Sequence, residues 1–88
     1  MKRIWLRFEL DSEQLSFSWI AGNLQKDIAQ LGATIVKDED GRFKLDNTFR
    51  VEVLVEKDDT ETEVDVRNLA SLVGFSFIST EPVETPVS

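Results

Sequence analysis

Carboxylates are the most plentiful reactive groups in this chain: seventeen Asp and Glu stand against ten Lys and Arg, a formal net charge of −7 over 88 residues. Two groupings, Asp38-x-Asp40-Gly41 and Asp58-Asp59, place oxygen ligands close together, as calcium or magnesium requires. Neither completes a calcium loop. Gly41 follows only two spaced acids, and Asn47 stands where a bidentate Glu would have to close the cage. The expectation is solvated turn carboxylates and no metal. Serines occur along the chain, but there is no His, Cys or Tyr. Imidazole-activated nucleophiles, thiolates, Cys/His zinc sites and disulfides are therefore excluded. No Gly-rich strand-to-helix loop is present to cradle a phosphate. Paired carboxylates can do acid–base work, as in glycoside hydrolysis. Here every Asp and Glu falls on an expected surface, turn or helix start, without the burial that lifts a carboxyl pKa toward neutrality. The sequence reads as non-enzymatic and free of cofactors.

Binding is the better-supported chemistry. Residues 2–10 alternate, with Ile4, Leu6, Phe8 and Leu10 on one side and Arg3, Trp5, Arg7 and Glu9 on the other. Phe49, Val51, Val53 and Val55 alternate in the same way with Arg50, Glu52, Leu54 and Glu56. If both outward sets share one sheet face, Trp5, Leu54 and Ile78 form an apolar spot rimmed by Arg3, Arg7, Arg50, Glu52 and Glu56. That is the anatomy of a protein interface, an aromatic anchor inside a mixed-charge rim. The competing structural reading is Trp5 lying beneath a long side chain such as Arg7 by cation–π stacking. Sheet-face RNA recognition needs stacking aromatics on two strands and a basic surround. Only Trp5 qualifies, and the net charge opposes phosphate, so direct nucleic-acid binding is disfavoured.

Trp19 falls on the helical wheel opposite the Phe17, Leu24 and Ile28 face. Three explanations stay open: a partner docks on it, the loop around 38–47 folds over it, or the helix starts later and Trp19 joins the core. The acidity is local. Residues 1–37 carry a net +1 and residues 38–88 a net −8. The densest run holds Glu56, Asp58, Asp59, Glu61, Glu63 and Asp65 and reads as an acidic edge. Such an edge could imitate a nucleic-acid phosphate array for a basic groove.

The elements that must position these residues are legible from periodicity. After the first strand, Asp11 as N-cap, Gln14 in a capping box and a Leu10/Leu15 staple open a helix that Gly32 closes. Residues 33–37 suit a short strand, and Asp38 to Gly41 supply a turn. Residues 42–45 are either its partner or a separate strand. Thr60 with Glu63 forms a capping box for a second helix over about 61–73, stopped at Gly74. Phe75, Phe77 and Ser79 alternate with Ser76, Ile78 and Thr80 in a last strand, and 81–88 read as a frayed tail.

The order predicts an α+β domain over 1–80, a ferredoxin-like split β-α-β sandwich with two helices on one face of an antiparallel sheet. The alternative is a five-stranded β-α-β-β-β-α-β chain. No basic start leads into an uninterrupted apolar run, and no stretch is long enough to span a bilayer, which fits a cytoplasmic protein without membrane contact. The leading expectation is an acidic protein-binding module, an adaptor or inhibitor with a protein partner. A homodimeric small-molecule-sensing domain is the alternative.

Overall fold

The computed structural model describes residues 1–9 and 17–83. In chain order the elements are β1 (Lys2–Phe8), α1 (Phe17–Ala29), β2 (Ala33–Ile35), β3 (Arg50–Val55), α2 (Thr60–Leu72) and β4 (Phe75–Pro82). The strands form one antiparallel sheet in the order β2-β3-β1-β4, the expected ferredoxin-like arrangement. Residues 42–45 do not form a fifth strand. They touch the sheet region through an isolated Lys37–Phe43 bridge.

One face of the sheet carries the core. Ile4 and Leu6 of β1, Ala33 and Ile35 of β2 and Val51, Val53 and Val55 of β3 meet Ile20, Ala21, Leu24 and Ile28 of α1 and Val66 and Ala70 of α2. The period of two in the strands and of three to four in the helices turns these positions to a single interior, as read from the sequence. Phe8, Phe17 and Phe75 close one end, with ring centroids 5.1–6.3 Å apart. Gly32 and Gly74, with φ of 74° and 93°, end the helices in the left-handed region that side chains avoid. The expected cap and staple at residues 10–15 lie outside the described residues.

Four details differ from the sequence reading. The cap of α2 is Asp59, whose carboxylate accepts the Thr62 N–H at 2.8 Å, and Thr60 is the first helical residue. Both residue types cap well, so adjacent candidates are separated only by backbone geometry. β4 continues to Pro82, which pairs with Lys2, so residues 81 and 82 belong to the sheet and not to a tail. Within β4 the register slips: Leu6 faces Phe77 while Trp5 faces Ser79. Ile78 is the extra residue of a β-bulge, and beyond it the alternation inverts, bringing Thr80 to the register of buried Ile4.

The fourth difference is Phe49, expected as an inward strand residue. It sits before β3 with φ 61° and is 56% exposed. For an L-residue that conformation costs about 1–2 kcal/mol. The turn around it holds the geometry. The Asp46 carboxylate accepts the Thr48 N–H and hydroxyl and the Arg50 N–H at 2.8–2.9 Å, and the Phe49 carbonyl accepts the Phe8 N–H at 2.7 Å. Phe49→Asn is expected to raise the melting temperature by about 4 °C through relief of that strain. A thermal melt no higher than wild type would show that the phenyl ring makes contacts worth as much as the strain.

Candidate functional site

The helices cover one face of the sheet and leave the other open. On that open face β1 contributes Arg3, Trp5 and Arg7, and the registers place them opposite Leu54, Glu52 and Arg50 of β3. On the other flank Trp5 is bordered by Ser79 and the bulge residue Ile78, which is 42% exposed.

Trp5 is only partly exposed, and its position is fixed from both sides. The Arg50 guanidinium lies over the indole, 5.5 Å from the ring centroid. The indole N–H donates to Glu81 Oε1 at 3.4 Å. Arg50, one strand over, therefore does the stacking for which Arg7 was the sequence candidate. Glu81 was assigned to the tail; the bulge is what turns it to this face, and nothing in the local pattern announces a bulge.

Leu54 does not join Trp5 in one apolar spot. Arg3 Nε donates to Glu52 Oε2 at 2.7 Å, and this ion pair spans the diagonal between the Trp5/Glu52 and Arg3/Leu54 rows. Arg3 Nη1 also donates to Glu81 Oε1 at 2.8 Å. Two carboxylates on one guanidinium raise the Arg3 pKa, Glu81 being the larger cause and Glu52 the next. The same Arg3 contact, then the Trp5 N–H, holds the Glu81 carboxyl below the usual carboxylate range.

A small recess of about 100 Å³ opens beside the indole, lined by Trp5, Lys44, Asp46, Arg50 and Glu52. Lys44 reaches it from the 36–49 connection, which the Lys44 N–H to Val36 carbonyl bond at 3.1 Å holds against the end of β2. The Asp46 carboxyl is held well below its ordinary range, first by the Arg50 backbone N–H and then by the Thr48 hydroxyl. A carboxyl so stabilised as the anion is a poor proton acceptor. Asp46 and Glu81 are in this way held as anions beside Trp5.

Of the expected acidic edge, Glu56, Asp58, Asp59, Glu61 and Asp65 are exposed and Glu63 is buried. Asp58 pairs with the amino terminus and Asp59 caps α2, where Thr62 keeps its carboxyl below the ordinary value. Asp65 is exposed and lines an interhelical groove of about 530 Å³ with Asp27. Glu63 corrects the expectation that every carboxylate is superficial. It is 7% exposed, accepts a hydrogen bond from Lys2 Nζ at 3.3 Å and lies 3.5 Å from Arg67 Nη1. Among the described residues no three acidic side chains converge in a ligand set for a cation.

Trp19 is 64% exposed on α1, which sets aside both the core placement and a covering loop. The aromatic of that loop, Phe43, instead lies over Gly22, within 3.9 Å of where a Cβ would stand. No helix among the described residues is long and apolar enough to cross a membrane. No protein-family model, curated protein or solved structure matches the chain, so its functional reading rests on this open face.

Proposed function

We propose that this domain is a protein-binding module without catalytic machinery, working through the open sheet face around Trp5. The observation that carries the reading is the immobilised indole. An aromatic held by Arg50 on its face and Glu81 at its N–H is already ordered before a partner arrives. Pre-ordering lowers the entropy lost on association, and aromatic and Arg residues are the groups most often found at the energetic centre of an interface. Ile78, pushed outward by the bulge, adds apolar area beside it.

Affinity capture with the wild-type chain and with a Trp5→Ala/Ile78→Ala variant tests this. The variant is expected to keep its fold, read by circular dichroism, and to lose the partner that wild type retains. A folded variant capturing the same proteins as wild type would overturn the sheet-face reading. A partner lost only in a Glu61→Lys/Asp65→Lys variant would move the interaction to the exposed acids of α2.

A further inference from the structure

The open face is divided by charge, and its division indicates what kind of partner it takes. At the Arg3 end two carboxylates, Glu52 and Glu81, meet one guanidinium. At the other end Arg7 and Arg50 are direct register partners across β1 and β3. Directly opposed side chains stand with Cβ atoms about 4.5–5.5 Å apart, a distance at which like charges destabilise a sheet. Lys44 approaches the same end from the wall of the recess beside Trp5.

The carboxylates of this region are already engaged. Asp46 holds its own turn and Arg50, Glu52 holds Arg3, and Glu9 accepts the Ser76 hydroxyl at 2.9 Å. Among the described residues Arg7 and Lys44 have no ion-pair partner. Arg50 is paired with Asp46, which with Glu52 also lines the recess. Among the described residues, the cations of this end left without a counter-charge are therefore Arg7 and Lys44, with Arg7 still facing Arg50 across the strands. The like-charge row of Arg7 and Arg50 is eased when an anion docks beside Arg7.

We infer that the Arg7–Arg50–Lys44 end of the open face binds an acidic peptide segment of a partner protein, its carboxylates on Arg7 and Lys44 and an apolar side chain against Trp5. This rests on the sheet-face reading and specifies the partner's chemistry. Guanidinium forks suit carboxylates by paired N–H donation. A peptide fits better than a nucleic acid, because among the described residues Trp5 is the single stacking platform on this face and a polyphosphate would meet the chain's net charge of −7 along its length.

Fluorescence of Trp5 in a Trp19→Phe background provides the test. The probes are a blocked peptide of alternating glutamate and leucine, its lysine–leucine counterpart and an oligothymidylate. The glutamate peptide is expected to shift Trp5 emission saturably, more weakly as salt rises, while the lysine peptide does not. Arg7→Glu is expected to weaken that binding about tenfold. The same variant should melt roughly 2–4 °C higher, because it replaces a like-charge row with an opposite-charge one. A gain in stability together with a loss of binding is the signature that a purely structural Arg7 would not give. The inference is overturned by no saturable response to the glutamate peptide, by an Arg7→Glu protein that binds it as tightly as wild type, or by tighter binding of the oligothymidylate. If Trp5→Ala/Ile78→Ala loses a captured protein that Arg7→Glu retains, the acidic partner is wrong and the sheet-face reading stands.

Discussion

Ile4→Ala is expected to remove about 3–4 kcal/mol of folding stability, the largest loss for any single truncation considered for this chain. Ile4 is fully buried on β1, which has β3 on one side and β4 on the other, so its side chain lies in the middle of the sheet face that both helices cover. Truncation removes three carbons from a region with no solvent to refill it, and neighbours fixed in two strand ladders collapse inward only partly. A domain of this length has about 5–13 kcal/mol in total. The variant should therefore lose a quarter or more of its stability and show a much lower urea midpoint at an unchanged m-value. A loss below about 1.5 kcal/mol would mean that the core closes around the cavity more freely than its interlocked strands imply.

Glu63→Ala is expected to cost about 2–3 kcal/mol, although a solvent-facing Glu on a helix would cost almost nothing. The carboxylate stands between Lys2 of β1 and Arg67 one helical turn on, and it is nearly closed off from water. Its removal leaves two cations facing a gap without their counter-charge. Arg67 also stacks 3.7 Å from the Phe77 ring centroid, so disorder of its guanidinium would loosen the contact between α2 and β4. Glu63→Met, which refills the volume with an apolar chain, is expected to cost under about 1 kcal/mol, since Lys2 and Arg67 can extend toward water. Urea titrations of both variants check the pair of values. An Ala variant within about 0.5 kcal/mol of wild type would show that the two cations gain as much from water as from Glu63.

The parts of this fold that were legible in sequence are those set by local chemistry. The alternation of residues 3–8 and 50–55, the three–four spacing of both helices and Gly32 and Gly74 at their ends all express periods that neighbours within one element enforce. That Trp5, Arg50 and Glu52 share the outward face was legible for the same reason. What could not be read depends on residues distant in the chain. Glu63 is buried because Lys2 arrives beside it from 61 positions away. Phe49 leaves the strand period because the Asp46 turn dictates its backbone. Lys44 belongs to a connection whose path is fixed by a bond to Val36 and by Phe43 over α1. Glu81 reaches Trp5 only because β4 slips by one residue.

That slip bears on how the chain can change by gain or loss of single residues. Closing the bulge with Ile78 kept, so that each residue from 78 onward pairs one position further along β1, would restore a regular pleat in β4, and residues 79–82 would exchange sides of the sheet as a block. Glu81 would turn toward the helices, abandoning both Arg3 and the indole of Trp5, while Ser79 would enter the interior row. Deleting Ile78 would instead leave Ser79, Thr80 and Glu81 opposite Trp5, Ile4 and Arg3, so Glu81 depends on the bulge only while Ile78 is present. Substitutions along this stretch can be absorbed one at a time, whereas a frame shift of the strand by a single position dismantles one support of Trp5 in one step.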